Sequence, residues 1–582
     1  MLQQSLRHMA RQPSKAVLWA LLPLLFASSL WLFPIRQPEG VGGCITWDTQ
    51  GYLLYLTGTL HGDLTQHAYA AGNPYTPYYL HAQPNGNRII QYWMGFAVLM
   101  APGFAVAHGM ALLTDYPADG FSAPYHWAVY LSCWLYFALA LWVTRAVLLR
   151  YFSERVTAAT LLLLLLGTNL LFLSQAGITQ VHLPLLFPVA VLAWAMPRWY
   201  AQPTRSRSLS IGLLLGFIML VRPTEGLLLL VVPLFGLGQP GQGLRQHWQL
   251  LWQRRVALLL VLAGLLLALL PQIGYWLAVA GKPLVHSYGA HNTFHWKAPH
   301  ILDGLFSYRK GWLFYTPLMA LALVGLWPLR KTGWSWAIAI YLALNIYVVF
   351  CWHMWWYTFG VGMRALVQAY PLLALGLAAL LAQAAQVRWR RWLLGALVVP
   401  MVVLNGFQLW QYYHFILPKD GMTRLLYHAT FGRTQPDYRL AKYQDLAQAR
   451  ADAPNGPLLA QYAHQQGEAL SPQREFSTTL KVGLRQLRAG DWLRVLAVTR
   501  YDVDDFTPEA QSMLVCQLKG PQAPLLWVGV RLQHATHKGH TDSLWYEVQL
   551  PQGVSAQDSL HLYMWNPCCS LRLYKLSAWQ LP

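Results

Sequence analysis

Long apolar runs recur through the first 411 positions and stop near position 436, after which short stretches alternate apolar and polar residues. A helix needs about 20 mostly apolar residues to cross a bilayer. A first run at 16–34, read as a retained signal-anchor helix, is followed by runs near 89–112, 125–149, 157–174, 179–197, 209–221, 224–238, 256–280, 312–328, 335–351, 364–386 and 391–411. Together they predict about ten to twelve crossings. The runs at 209–221 and 224–238, split by Arg222-Pro223, are too short to cross independently and are expected to dip in and return. In the tail, 477–482, 492–499, 525–532, 544–550 and 559–565 alternate as half-buried strands do. The expected fold is a polytopic α-helical membrane module over 1–411, a linker over 412–474 and an antiparallel, jelly-roll-like β-sandwich over 475–582.

Composition agrees with a membrane protein: 55% of residues are hydrophobic, 11% are charged and 28 are Trp. The formal charge of +20 invites a nucleic-acid partner until its distribution is read. Seventeen Lys and Arg, from Arg7 to Arg391, lie in short segments between apolar runs with a single acid, Glu154. Such loops stay cytoplasmic, so topology accounts for most of the charge and no nucleic-acid partner is predicted. The outward segments are then 36–88, a turn near 175–181, the Arg222-Pro223 hinge, 281–311, 352–363 and everything beyond about 412. The run at 89–112, with Pro102-Gly103 at its middle, does not fit this alternation. Either it is a re-entrant hairpin or the charge rule fails at 145–155. No Asn-x-Ser/Thr sequon occurs, which favours a bacterial inner membrane with a periplasmic tail.

Seven of the eight acids in the first 411 residues fall on the outward side, opposite Arg36, Arg88, Arg222, Lys282, Lys297, Arg309, Lys310 and Arg364. A cationic cleft facing a carboxylate suits a phosphorylated lipid substrate, because guanidinium groups bind phosphate oxygens bidentately and a carboxylate takes a proton from an attacking hydroxyl. Asp48, in Trp47-Asp48-Thr49-Gln50-Gly51-Tyr52, is the candidate base; capping the following helix is a compatible duty. Arg222-Pro223-Thr224-Glu225 is a kink with a snorkelling Arg or a phosphate contact. In Ser307-Tyr308-Arg309-Lys310-Gly311, two adjacent cations oppose the charge rule. In the segment from Trp352 through His353, Trp356 and Gly360 to Arg364, an aromatic belt explains the rings but not Arg364.

His286, His291, His295 and His300 have metal-like spacing in a loop-like context; His182 reads equally as an interhelical polar group. Asp502-Val503-Asp504-Asp505 reads as a solvated loop before a metal site. Cys516 and Cys568-Cys569 allow one disulfide in the tail.

Four of these segments, in this order and on one side, resemble the GT-C superfamily of membrane glycosyltransferases, which includes protein O-mannosyltransferases and the lipid A aminoarabinose transferase. They are the Trp47–Tyr52 and Arg222-Pro223 motifs, Ser307 to Pro317, and Gly360-Val361-Gly362-Met363-Arg364. The resemblance covers roughly 16–411. It implies a polyprenyl-phosphate sugar donor, a glycan, lipid or protein acceptor, and inverting transfer with Asp48 as base. Asp63 would stand in for a second acid that this chain lacks after Asp48. Arg222, Arg309, Lys310 and Arg364 would hold the donor phosphate, with Tyr52, Glu225, His353 and Trp356 near the substrate. No cofactor is predicted, and a divalent metal is left open. The closing strands of the tail are similar to those of jelly-roll carbohydrate-binding modules, with their Trp and Tyr assigned to the core rather than to a ligand. The rival class is a transporter or flippase of lipid-linked sugars, which shares the cationic cleft but calls for internal repeats, and none is found.

Overall fold

A computed structural model describes residues 12–32, 43–73, 76–241, 243–288, 293–358, 360–418, 420–437, 440, 456–485, 487–502, 512–520, 526–532, 536 and 538–581. The chain divides into two compact units, Met1–Leu409 and Trp410–Pro582.

The first unit is helical. Among the described residues six helices are long and apolar enough to cross a membrane: Pro13–Leu32, Gly95–Leu112, Ala123–Leu148, Arg255–Ala280, Arg364–Ala385 and Arg388–Tyr413. Glu154–Leu166 and Leu170–Ala176, bent by 55° at their junction, make a seventh when taken as one broken span. The chain is a multi-pass membrane protein, with fewer full-length spans than the ten to twelve expected. Breaks inside apolar runs explain the difference. The run at 312–328 is cut into Trp312–Tyr315, Leu318–Val324 and Leu326–Leu329, the first break falling at Pro317, which has no N–H to donate. The run after Arg222 begins as a 3-10 segment, Pro223–Leu230, before one helical turn at Val231–Leu234. The suspected hairpin at 89–112 does not form; Gly95–Leu112 continues through Pro102 as one helix.

The one acid among the basic loops has a structural use. Glu154 accepts from Arg145 Nη2 at 2.7 Å and from the hydroxyl of Ser14, tying the first helix to the loop at 145–154. Ser153 caps the helix that Glu154 opens.

A short hairpin, β1 (Leu80–Ala82) and β2 (Arg88–Ile90), packs into the first unit, with Ile89 and Ile90 buried against Leu54, Tyr275 and Trp276. Among the described residues the second unit holds eight antiparallel strands: β3 (Leu458–Leu470), β4 (Leu480–Gly483), β5 (Trp492–Tyr501), β6 (Met513–Lys519), β7 (Trp527–Arg531), β8 (Asp542–Gln549), β9 (Ser559–Trp565) and β10 (Leu571–Gln580). One sheet has the order β3-β10-β5-β8 and the other β4-β9-β6-β7. First strand pairs with last, second with seventh, third with sixth and fourth with fifth, the nested wrapping of a jelly roll. Leu493, Val495, Leu514, Leu544, Leu560, Leu562 and Leu573 fill the space between the sheets. β3 lies within the stretch assigned to a linker. It is a sheet edge with most residues at least partly exposed, so it carries no apolar alternation to reveal it. Among the described residues, which include all six cysteines, no disulfide is formed, so the one that the sequence allowed in the tail is absent.

Candidate active site

The helix Trp47–Leu60 starts from an extended Thr46 whose side chain makes no capping bond. Asp48 is therefore inside the first turn, where its charge suits the helix dipole, and it is not the N-cap that its residue type suggested. Its carboxylate faces outward from the helix instead. Oδ1 accepts from the Tyr92 hydroxyl at 2.8 Å and the Tyr79 hydroxyl at 3.2 Å, and Oδ2 accepts from Arg364 Nη2 at 3.2 Å. The side chain remains one-third exposed.

The two phenols come from the ends of the β1–β2 hairpin. Leu80 pairs with Ile90, and Gln91 N–H donates to Tyr79 C=O at 2.8 Å, which sets Tyr79 beside Tyr92. Gly51 lets both rings approach the helix: a Cβ there would lie 2.6 Å from Tyr79 Cγ and 3.0 Å from Tyr92 Cε2. Tyr52 stacks on Tyr92 with centroids 4.0 Å apart. Burial, and then the Asp48 charge, push the Tyr92 phenol well above its ordinary range, so it stays a donor at neutral pH.

Arg364 is delivered by a segment that leaves the common backbone regions four times in six residues, at Tyr357, Thr358, Gly360 and Gly362. Gly362 has φ +69°, and a Cβ there would fall 2.9 Å from Tyr315 Cβ. The guanidinium then donates Nη1 to Gln180 Oε1 and Nη2 to Asp48. Its third edge, Nε, is buried with no hydrogen-bond partner among the described residues.

Arg222 occupies the extended joint between the helix Arg205–Val221 and the segment Pro223–Leu230. Its Nη1 donates to Ala365 C=O at 2.7 Å and lies 3.4 Å from His182 Nδ1 and 3.8 Å from Glu225 Oε1. Glu225 is fully buried and accepts from Tyr341 Oη at 2.5 Å, Gln368 Nε2 at 2.6 Å and Asn345 Nδ2 at 3.1 Å. It stands behind Arg222 as a satisfied counter-charge rather than facing a substrate. The two arginine segments are thereby joined, since Ala365 and Gln368 follow Arg364 within one turn and both bind the Arg222–Glu225 pair.

Some of these groups line a cavity of about 570 Å³. Asp48, Tyr52, Arg222 and Arg364 are in its wall, with Tyr92, His182 and Tyr288 beside them. The remaining sequence candidates lie elsewhere. Asp63 closes a loop, accepting backbone N–H bonds from Gln66 and Ala68, each at 2.8 Å. Burial acts to raise its pKa, but the amides of Gln66, Ala68, His67 and Thr65 together hold it down at about 2. Arg309 stacks over the Trp356 ring at 3.8 Å, and Lys310, 2% exposed, donates to Gly360 C=O. His353 donates its backbone N–H to Thr293 C=O, beside the bridge that joins Trp352 to Phe294. Neither His353 nor Trp356 is in the wall, although Trp352 and Met354 are.

Sequence reasoning missed Tyr79, Tyr92, Gln180 and Gln368, because tyrosine and glutamine have no unusual signature in a chain with 31 Tyr. Among the described residues no group of three or more His, Cys, Asp or Glu is arranged to hold a metal. His286 lines the cavity and His291 lies outside the described residues. Asp502 pairs with Arg500 at 2.9 Å, and Val503, Asp504 and Asp505 lie outside the described residues.

The structure is similar to the oligosaccharyltransferase of Archaeoglobus fulgidus in its apo form, at 13% identity and a TM-score of 0.36 over 67% of this chain and 56% of that one. It is also similar to arabinosyltransferase EmbB of Mycobacterium smegmatis, at 12% identity and a TM-score of 0.32 over 97% of this chain and 64% of that one. The chain thus spans less than two thirds of either protein. No family model and no curated protein matches its sequence.

Proposed function

We propose that the chain is an integral-membrane glycosyltransferase of the GT-C type, moving a sugar from a polyprenyl-phosphate donor to a hydroxyl acceptor at the outer face of a bacterial inner membrane. The observation that carries this reading is the Asp48–Arg364 pair in the wall of an aromatic cavity, with Arg364 Nε buried and without a partner among the described residues. A buried donor without an acceptor costs about 1–3 kcal/mol. A phosphate oxygen is the acceptor that a guanidinium edge fits best.

In this mechanism the donor phosphate sits against Arg364 and Arg222, with its lipid toward the membrane helices. The acceptor hydroxyl approaches Asp48. As the acceptor oxygen bonds to the anomeric carbon, its proton passes to the carboxylate and the bond from that carbon to the phosphate oxygen breaks. The lipid phosphate leaves with the electron pair, and the anomeric centre inverts. Tyr79 and Tyr92 hold Oδ1 while the cavity's aromatic rings offer stacking faces to the sugar. Asp63, Arg309 and Lys310 are not in the cavity wall, whereas Arg222 and Arg364 are, so the phosphate role falls to those two.

Incubating the purified protein with a labelled polyprenyl-phosphate sugar and a vesicle assay tests the reading. Covalent transfer that is lost in Asp48→Asn supports it. Translocation without transfer would move the protein to the flippase class, and full transfer by Asp48→Asn would remove Asp48 from the mechanism.

A further inference from the structure

The aromatic residues of β9 do not sit in the jelly-roll core to which the sequence assigned them. Along this strand Leu560, Leu562 and Met564 are buried between the sheets, whereas Ser559, His561, Tyr563 and Trp565 alternate onto the outer face. Pairing partners in an antiparallel sheet share a face, so the register extends this row sideways. Lys481 of β4 and Gln517 of β6 flank His561, Lys519 is opposite Ser559, and Trp527 of β7 is opposite Gln517.

Several of the rings lie open on this surface. Trp527, 46% exposed, lies over Gly529, where a Cβ would fall 2.9 Å from its Cη2. Val515, paired between Tyr563 and Gly529, is fully buried yet stands outside the inter-sheet core, so it is covered from the outer side. Phe476, 55% exposed, bridges to Trp565 with the two rings parallel within 6° and their centroids 6.4 Å apart. Polar edges are interleaved with these rings. Trp565 Nε1 donates to Glu475 at 3.1 Å, and His561 Nε2 is 3.0 Å from Ser559 Oγ. Lys481 and Lys519, both exposed, lie close enough to act on the His561 ring.

We infer that this outer face of the β4-β9-β6-β7 sheet binds an oligosaccharide that carries acidic groups, with Phe476, Trp527, Tyr563 and Trp565 stacking on sugar rings and Lys481 and Lys519 meeting the carboxylates or phosphates. Exposed rings interleaved with hydrogen-bonding edges match a pyranose, which has an apolar C–H face and a polar rim. The two lysines set the sign of the ligand charge. This binding function is independent of transfer chemistry at Asp48.

The test uses the full chain in nanodiscs, titrated with hexagalacturonate, maltohexaose and hexaglutamate, with binding read by calorimetry. Hexagalacturonate should bind more tightly than maltohexaose, and hexaglutamate should not bind. Trp527→Ala and Trp565→Ala should each weaken hexagalacturonate about tenfold, the scale of one aromatic contact. Trp565→Tyr should restore most of that loss and guard against misfolding, and Phe476→Ala, at an exposed site, gives a second check. Lys481→Ala with Lys519→Ala should remove the preference over maltohexaose. Equal binding of the neutral hexamer, equal binding of the peptide, no binding of any glycan, or full binding after loss of the tryptophans would overturn the inference.

Discussion

Arg364 and Asp48 are 316 positions apart in the chain and 3.2 Å apart in space. Each comes from a segment that is otherwise apolar or aromatic, and each has further partners that fix its direction. The site is thus assembled from the segment that follows the first apolar helix and the segment that leads into the last two.

Replacing Asp48 by Asn keeps the size and an acceptor oxygen but removes the proposed base. Transfer should fall by about 10²–10⁴, the range of general-base catalysis, while the melting temperature stays near that of the parent. Single-turnover rates with labelled donor check this. A loss confined to donor affinity would instead assign Asp48 to binding.

Arg364→Lys keeps the charge but cannot reach Gln180, Asp48 and a phosphate with three separate N–H groups. Its kcat should drop by about 10²–10³, as when one charge-stabilising donor is lost. The same substitution at Arg309, which stacks on Trp356, should leave kcat within about threefold by that comparison.

Gly51→Ala is a small change at a tight place. The added methyl displaces Tyr79 and Tyr92 from the helix, so Oδ1 of Asp48 loses its two donors. Overpacking of this kind costs about 1–3 kcal/mol, and activity should fall more steeply than the melting temperature does. Tyr92→Phe, which removes one of the two hydroxyls without added bulk, should reproduce the kinetic part alone.

Glu225→Gln preserves the shape beside Tyr341, Asn345 and Gln368 but leaves Arg222 without its buried counter-charge. Breaking a buried pair in this way costs about 3–5 kcal/mol. Double substitution of Arg222 and Glu225 by Gln should recover stability without recovering transfer, a pattern that thermal melts and rate assays separate.

Asp63 gives a pH signature. Its folded pKa of about 2 lies below the ordinary 3.8, so its stabilisation is present above pH 3.8 and is lost as pH falls through 2. After allowance for solvent screening it amounts to about 1 kcal/mol. Asp63→Asn should lower the melting temperature at pH 7 with activity retained, and the gap should close in acid.

What could be read from the sequence depended on how rare each residue type is in its setting. Asp48, Arg222 and Arg364 stood out because charges are scarce in an apolar chain, and all three reach the cavity wall. Arg309 and Lys310 stood out for the same reason, but Trp356 and Gly360 hold them, and scarcity cannot distinguish a charge used for structure. Tyr79 and Tyr92 were invisible among so many aromatics until the hairpin register placed them. The strand periodicity of β9 was legible, yet the choice of which parity faces inward required the opposite sheet. β3 was hidden by its position at an edge.

The nested order of the sandwich also sets a schedule for biosynthesis. Among the described strands β3 pairs only with β10, in a register that joins Leu470 to Leu571, and β10 in turn separates β3 from β5. At about 5–20 residues per second, the ribosome needs about 5–20 s after making β3 before it supplies β10. During that interval β3 has no hydrogen-bonding partner and β5 has an open edge. The hairpin of β6 and β7 can form at once, but the two outermost wraps close last, so a chain that stalls before Leu571 leaves two sheet edges exposed to other molecules.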